Sequence, residues 1–321
     1  MPQQLRALGP WSMFPIGLGC WNVSKPGGAA TDPKRRKSSA IAGIHAGLDA
    51  GATLLDTADI YAPSWDAIGH NEIFVREAFE SWEATPEAKA SVVIATKGGI
   101  TRQEGEKWGR NGSLDYLRAA AESSRERLGV EVIDLWQHHR LDPSMDFETQ
   151  FENVLELKAR GIVREVGVSN YSAAQVKRAV EIAGGPKGGG IVSVQNEFSP
   201  FYRHDLDVLE VCEDHGIAFL PWSPLGGSKK VEQLAQDSFS ALGELARSKN
   251  VSPHSLVLAW LMATSKVLIP ISGATRPETI VDALSAANID LTPGECEEIA
   301  AGLAASLERS DELEPSPPFR G

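Results

Sequence analysis

Cysteine is scarce in this chain. Cys20, Cys212 and Cys296 are odd in number, far apart and outside any CxxC pair, which argues against a disulfide framework or a zinc site. No bound metal is expected, and a reducing, cytoplasmic setting fits best. Long apolar runs are missing too: no stretch of about 18 apolar residues could cross a bilayer, and "MPQQLRALGPWSMF" at the N-terminus has no secretory apolar core. Basic residues are outnumbered, 31 Lys+Arg against 43 Asp+Glu, for a formal net charge of −12. An extended nucleic-acid surface, or contact with an acidic membrane, is therefore not expected. Neither GxGxxG nor any Gly-Lys dipeptide occurs, so the Rossmann fingerprint and the GxxxxGK[ST] phosphate loop are both absent.

What remains is ordinary in amount and regular in order. Over 321 residues, 42% are hydrophobic and 23% charged, enough to bury a large core. Short aliphatic runs alternate with helical patterns of three-and-four spacing. The strand candidates are 14–19, 53–56, 91–96, 132–137, 165–169, 191–195, 217–221 and 267–271. Glycines close the helical segments between them: Gly51, Gly161, Gly184 and Gly216 each stand just before the next run. Strand, helix, glycine, strand predicts a parallel sheet with helices outside, and eight such units predict a closed α/β barrel, the (β/α)8 or TIM fold. Residues 5–12 are expected to form a small hairpin under the barrel. The acidic, proline-rich segment 308–321 reads as a loosely ordered tail.

In such a barrel the chemistry sits on the loops at the C-terminal ends of the strands. There "LLDTADIYAPSW" ends its apolar run on Asp56 and carries Tyr61 five positions on. The next strand ends "IATKGG", with Lys97, and the one after it "LWQHHRLDP", with His138 and His139. Taken singly, Asp56 could cap a loop and Lys97 could be solvated. Neighbouring residues point to opposite sides of a strand, so at most one histidine faces the axis. Together the set suits one chemistry. Asp56 holds a buried Lys97 charged, the ammonium lowers the pKa of the Tyr61 phenol, and a histidine orients a carbonyl. Such a group delivers a proton to a developing alkoxide.

At this point the sequence resembles the aldo-keto reductases along nearly its full length. "GLGCW", "GATLLDTADIYA", "ATKGG", "DLWQHHRLDP", "GIVREVGVSNYS", "VQNEFSPF", "WSPLGG" and "ATRPE" stand in that family's order and spacing. The resemblance implies one barrel domain over 1–321, a catalytic tetrad of Asp56, Tyr61, Lys97 and His139, and a nicotinamide cofactor bound without a Rossmann domain. It selects His139, the histidine directly before R-x-D-P. It implies NADP as cofactor, contacted by Ser169, Asn170, Gln195, Trp222, Ser223, Leu225, Gly273, Thr275, Arg276 and Asp282. Trp222 stands where tyrosine is usual and keeps the stacking. Thr279 and Ala283 depart from the arginine and asparagine common at those positions, which leaves NAD as the alternative cofactor.

Trp21, Trp65 and Trp108 are expected to wall an aromatic substrate pocket. The implied function is reversible reduction of an aldehyde or ketone, a small-molecule substrate, with the proton from Tyr61. Two rivals stand beside it: a cofactor-binding regulatory subunit of the channel-associated kind, and an isomerase or lyase using Lys97 as a Schiff base.

Overall fold

The computed structural model describes residues 4–24, 33–227, 230–235, 240–273 and 275–307. The expected tail at 308–321 lies outside the described residues. The hairpin of β1 (Arg6–Leu8) and β2 (Trp11–Met13) comes first, followed by β3 (Gly17–Gly19), one-turn α1 (Trp21–Ser24) and α2 (Pro33–Asp49). Next come β4 (Leu54–Asp56), α3 (His70–Ser81), short α4 (Pro86–Ala90) and β5 (Val93–Gly98). A second hairpin, β6 (Ile100–Gln103) and β7 (Lys107–Arg110), precedes α5 (Leu114–Leu128), β8 (Ile133–His138) and α6 (Phe147–Ala159). The order continues with β9 (Val163–Ser169), α7 (Ala173–Ala183), β10 (Ser193–Gln195), α8 (Leu206–His215) and β11 (Ala218–Phe219). The last elements are α9 (Ser240–Lys249), α10 (Pro253–Thr264), β12 (Ile271–Ser272), α11 (Pro277–Ser285) and α12 (Pro293–Leu307).

Eight strands form one parallel sheet in the order β11-β10-β9-β8-β5-β4-β3-β12. Its two ends meet. Phe219 N donates to Val267 O at 2.8 Å, Ile269 N to Phe219 O at 2.8 Å, and Ile271 N to Pro221 O at 2.9 Å. The run 267–271 is thus the seam that closes the barrel, as its apolar sequence predicts.

Each of the eight expected runs overlaps an observed strand. Side chains divide by the two-residue period of a strand. Leu54, Val93, Ala95, Leu135 and Ile271 point inward and share a cluster with Leu8 and Met13 of the β1–β2 hairpin, which plugs the floor. The other parity, with Leu55, Ile94, Trp136 and Val166, packs beneath the helices. Arg6 fastens the plug: its guanidinium donates to the carbonyls of Met262 and Ser265 just before the seam and of Leu268 within it.

Local signals set the helix ends. Ser172 begins α7 with a capping box, reciprocated by Gln175, and Asp146 caps α6 through Thr149 N at 2.8 Å. Gly216 closes α8 at φ 65°, a left-handed value that a side chain resists. The β6–β7 hairpin is an element that the sequence reading did not include. Its β7 strand is exposed along most of its length, so it carries no apolar alternation for a sequence reading to find.

Candidate active site

Strand parity decides which polar groups meet. Asp56 follows Leu54 by two, Lys97 follows Ala95 by two, and His139 continues the inward series Leu135, Gln137. All three therefore rise from the top of the barrel interior. Lys97 is fully buried and Asp56 nearly so. The ammonium donates to Asp56 Oδ2 at 2.7 Å, to Thr57 O at 2.8 Å and to Tyr61 Oη at 3.4 Å. Asp56 Oδ1 accepts from Gln195 Nε2 at 2.7 Å and from Gln137 Nε2 at 3.4 Å. The Tyr61 ring lies edge-on to His139, centroids 5.9 Å apart, and to Trp21 at 4.8 Å. His138, on the outward parity, bonds through Nδ1 to Tyr171 Oη at 2.8 Å and belongs to the packing under the helices.

Burial and charge set the protonation states. Burial alone would lower Lys97, but Asp56 and then Tyr61 outweigh it and the net direction is upward, so the side chain stays an ammonium. Burial pushes Tyr61 above its ordinary value of 10, and Lys97 pulls it down by less. This corrects the expected sign. Lys97 does favour the phenolate, but desolvation is the larger effect, and the phenol is a neutral, proton-bearing group. His139 lies well below 6.5, from burial first and Lys97 second, so its ring is neutral. Its Nδ1 has no partner among the described residues.

The candidate cofactor contacts fall on successive strand ends and their loops. Gln195 pairs with Ser169 across β9 and β10. Ser169 Oγ donates to Gln195 O at 2.7 Å, and Asn170 Nδ2 donates to Ser169 Oγ at 2.8 Å and to His139 O at 3.2 Å. Asn170 at φ 60° and Ser223 at φ 51° are left-handed without being glycine, a local strain that tends to gather at ligand sites. Trp222 and Leu225 are half-buried beside them. These features suit a planar amide and ring lying across the strand ends: Gln195 Nε2 is held by Asp56, which leaves its Oε1 for an amide donor.

The remaining candidates bond to other residues than the tetrad. Gly273 O accepts from Asn22 Nδ2 at 3.2 Å. Thr275 O accepts from Ser39 at 3.4 Å, while Arg276 is the exposed N-cap residue of α11, 3.7 Å from Glu278. The Asp282 carboxylate accepts from Ser252, the N-cap of α10, at 2.7 Å, and so joins two helices.

The family model described as Aldo/keto reductase family matches residues 15–303. The chain belongs to the aldo/keto reductase family.

It is 32% identical over 277 residues to an uncharacterized oxidoreductase of Schizosaccharomyces pombe, a match covering 86% of this chain and 82% of that protein. An aldo/keto reductase from Klebsiella pneumoniae, solved in complex with NADP and acetate, superposes with a TM-score of 0.73 at 21% identity, covering 92% and 94% of the two chains. A second Klebsiella pneumoniae aldo-keto reductase, in complex with NADPH, reaches 0.73 at 20% identity and 98% of each chain. At that identity the two structures speak for the shared fold. The family match and the Schizosaccharomyces pombe relative make this chain an oxidoreductase of the aldo/keto reductase class.

Around this aldo/keto reductase's candidate tetrad the structure adds residues that the sequence reading missed. Gln137 shares Asp56 with Gln195, and its strand parity with Leu135 was the available signal. Asp59 is buried, with Oδ1 unpartnered among the described residues, and burial and then Glu72 raise it well above the carboxylate range. Fully buried Asn71 ties the segment together: it accepts from Thr57 Oγ1 at 2.6 Å, donates to Cys20 O at 2.9 Å, and its N–H donates to Tyr61 O at 3.1 Å. Trp65 and Trp108 are 37% and 44% exposed at the rim, whereas Trp21 lies against Tyr61 itself.

Proposed function

We propose that this aldo/keto reductase reduces aldehydes or ketones to alcohols reversibly, with NADPH as the cofactor and NADH as the alternative. One observation carries the reading: Lys97 Nζ lies 2.7 Å from a buried carboxylate and 3.4 Å from the Tyr61 hydroxyl. When bound, a reduced nicotinamide supplies the hydride. The protein's own residues supply the proton and the orientation.

Tyr61 keeps its proton at neutral pH and gives it to the substrate oxygen as that oxygen gains charge. Lys97 offsets the phenolate that is left behind, and Asp56, itself braced by Gln195, keeps the ammonium charged and aimed. Neutral His139 offers a ring nitrogen to the carbonyl oxygen without adding charge. Ser169, Asn170 and Gln195 would hold the carboxamide, Trp222 would stack on the ring, and Thr275 with Arg276 at the start of α11 would meet the adenosine phosphate. Trp21, Trp65 and Trp108 border the mouth, which favours substrates with an apolar or aromatic body.

A Schiff-base role for Lys97 has less support, because that chemistry needs a neutral amine and Asp56 holds this one charged.

The test is direct. Consumption of NADPH or NADH at the nicotinamide absorbance band, over a panel of aldehydes and ketones, should reveal turnover and the preferred cofactor. In Tyr61→Phe the turnover should fall by about a hundredfold, the usual scale for a general acid, with cofactor affinity unchanged. Full activity in that variant refutes the assignment of Tyr61. Absence of turnover across the panel, with cofactor still bound, favours the regulatory-subunit reading.

A further inference from the structure

Tyr61 does not stand on a barrel strand. It sits in the segment between β4 and α3, and a loop residue is placed only as well as its segment is held. Asn71 holds that segment from the α3 side. From the opposite side it is held by the β6–β7 hairpin, through Arg102.

The Arg102 side chain is buried, with 6% of its surface exposed. Its Nη1 donates to Ala62 O at 2.8 Å and to Ile60 O at 3.4 Å, the two carbonyls that flank Tyr61 in the chain. Its Nε donates to Glu106 Oε2 at 2.6 Å, and Glu106 Oε1 accepts from Trp65 N at 2.9 Å. One guanidinium and one carboxylate thus fasten residues 60, 62 and 65 to the hairpin. Trp108 covers the guanidinium from its other face, 4.8 Å from its carbon to the ring centroid. The hairpin is itself anchored by Tyr116, whose hydroxyl donates to Ile100 O at 3.1 Å.

A second observation separates this arrangement from ordinary loop packing. Glu106 occupies left-handed backbone at φ 61°, directly after Gly105 at φ 74°. A residue other than glycine is disfavoured there. Glu106 is also the turn residue whose carboxylate reaches both Arg102 and the Trp65 amide. Strain is retained where the bridge between hairpin and loop is made.

We propose that Arg102 is a positioning residue for the proton donor: gripped by Glu106, its guanidinium holds the two peptide groups around Tyr61 and so fixes the phenol within reach of Lys97 and the substrate oxygen. The inference rests on the reading of Tyr61 as the proton donor. Because Trp108 stacks on the same guanidinium, the hairpin couples the position of the acid to one wall of the pocket.

The experiment is a double-mutant cycle with a binding control. In the Tyr61 background, Arg102→Met should lower kcat roughly tenfold or more, since small misplacement of a reacting group is costly. The Kd for NADPH, from protein fluorescence quenching, should not move. Arg102→Lys, which can still reach one carbonyl, should recover part of the loss. In the Tyr61→Phe background, Arg102→Met should have little further effect on kcat.

An equal loss in both backgrounds overturns the proposal, as does a loss confined to the Kd for NADPH. Activity retained in Tyr61→Phe alone instead overturns the reading of Tyr61, and the two failures are told apart by that single variant.

A cofactor-free readout guards against a variant that folds poorly. Glu106→Gln, at a side chain 44% exposed, should leave the barrel strands protected from amide hydrogen exchange while speeding exchange across residues 60–65 by about tenfold. Unchanged exchange in that segment also overturns the proposal.

Discussion

A lysine without exposed surface is charged only where its partners repay the water it has lost. Lys97 meets that condition through one carboxylate, one peptide carbonyl and one phenol. Removing the amine strands the carboxylate. Lys97→Met should therefore cost stability as well as turnover, on the order of 3–5 kcal/mol for a broken buried pair, read as a lower urea midpoint. Asp56→Asn should do the same from the other side. The sign at Tyr61 leads to a pH dependence. The folded value lies above 10 because burial outweighs Lys97, so the acid form is complete below that value and is lost only as pH rises through it. The proton-transfer step should accordingly stay level through neutral and mildly alkaline pH, measured by single-turnover reduction at saturating cofactor.

At the scale of elements, local chemistry and strand parity do separate work. Ser172 and Gln175 form a reciprocal cap at the start of α7, directly after Tyr171. Ser172→Ala should destabilise the protein by about 1 kcal/mol without changing kcat, as measured by urea unfolding beside activity. The eight strand runs were legible because each is a short aliphatic segment, and four of them follow the helix-ending glycines Gly51, Gly161, Gly184 and Gly216.

The choice between His138 and His139 was also within reach of the sequence. Two steps back from His139 stands Gln137 and four steps back Leu135, on the inward face, while His138 shares its face with Trp136. The β6–β7 hairpin was not legible. Its residues face solvent along β7 and owe their order to contacts with segments outside the hairpin: Arg102 with Ala62 O, Glu106 with Trp65 N, and Ile100 O with Tyr116. For the same reason the sequence did not show what holds Trp108, which is its stacking on Arg102.

At the scale of the molecule, the closed barrel buries ionisable groups whose titration then couples to folding. His138 is fully buried, and that burial lowers its folded value to about 4, against the ordinary 6.5 of an unfolded chain. Between those values the unfolded state binds more protons, so stability is complete above 6.5 and falls as pH drops toward 4. The loss from this one group is about 3 kcal/mol. His139 shifts in the same direction and adds to it. Urea midpoints should fall steeply over that range, and His138→Gln should flatten the fall.

The sequence by itself determined the alternation of strands and helices, the glycine stops, the floor hairpin and the residues that face inward at the strand tops. Those features depend on periods of two and of three to four residues, and such periods are local. Only the tertiary structure decided how the phenol is protonated, which backbone carbonyl the lysine takes, and that an arginine from a second hairpin holds the loop bearing Tyr61. Each of these depends on how much water is excluded and on which distant peptide groups come within about 3 Å. Neither quantity exists until the barrel has closed.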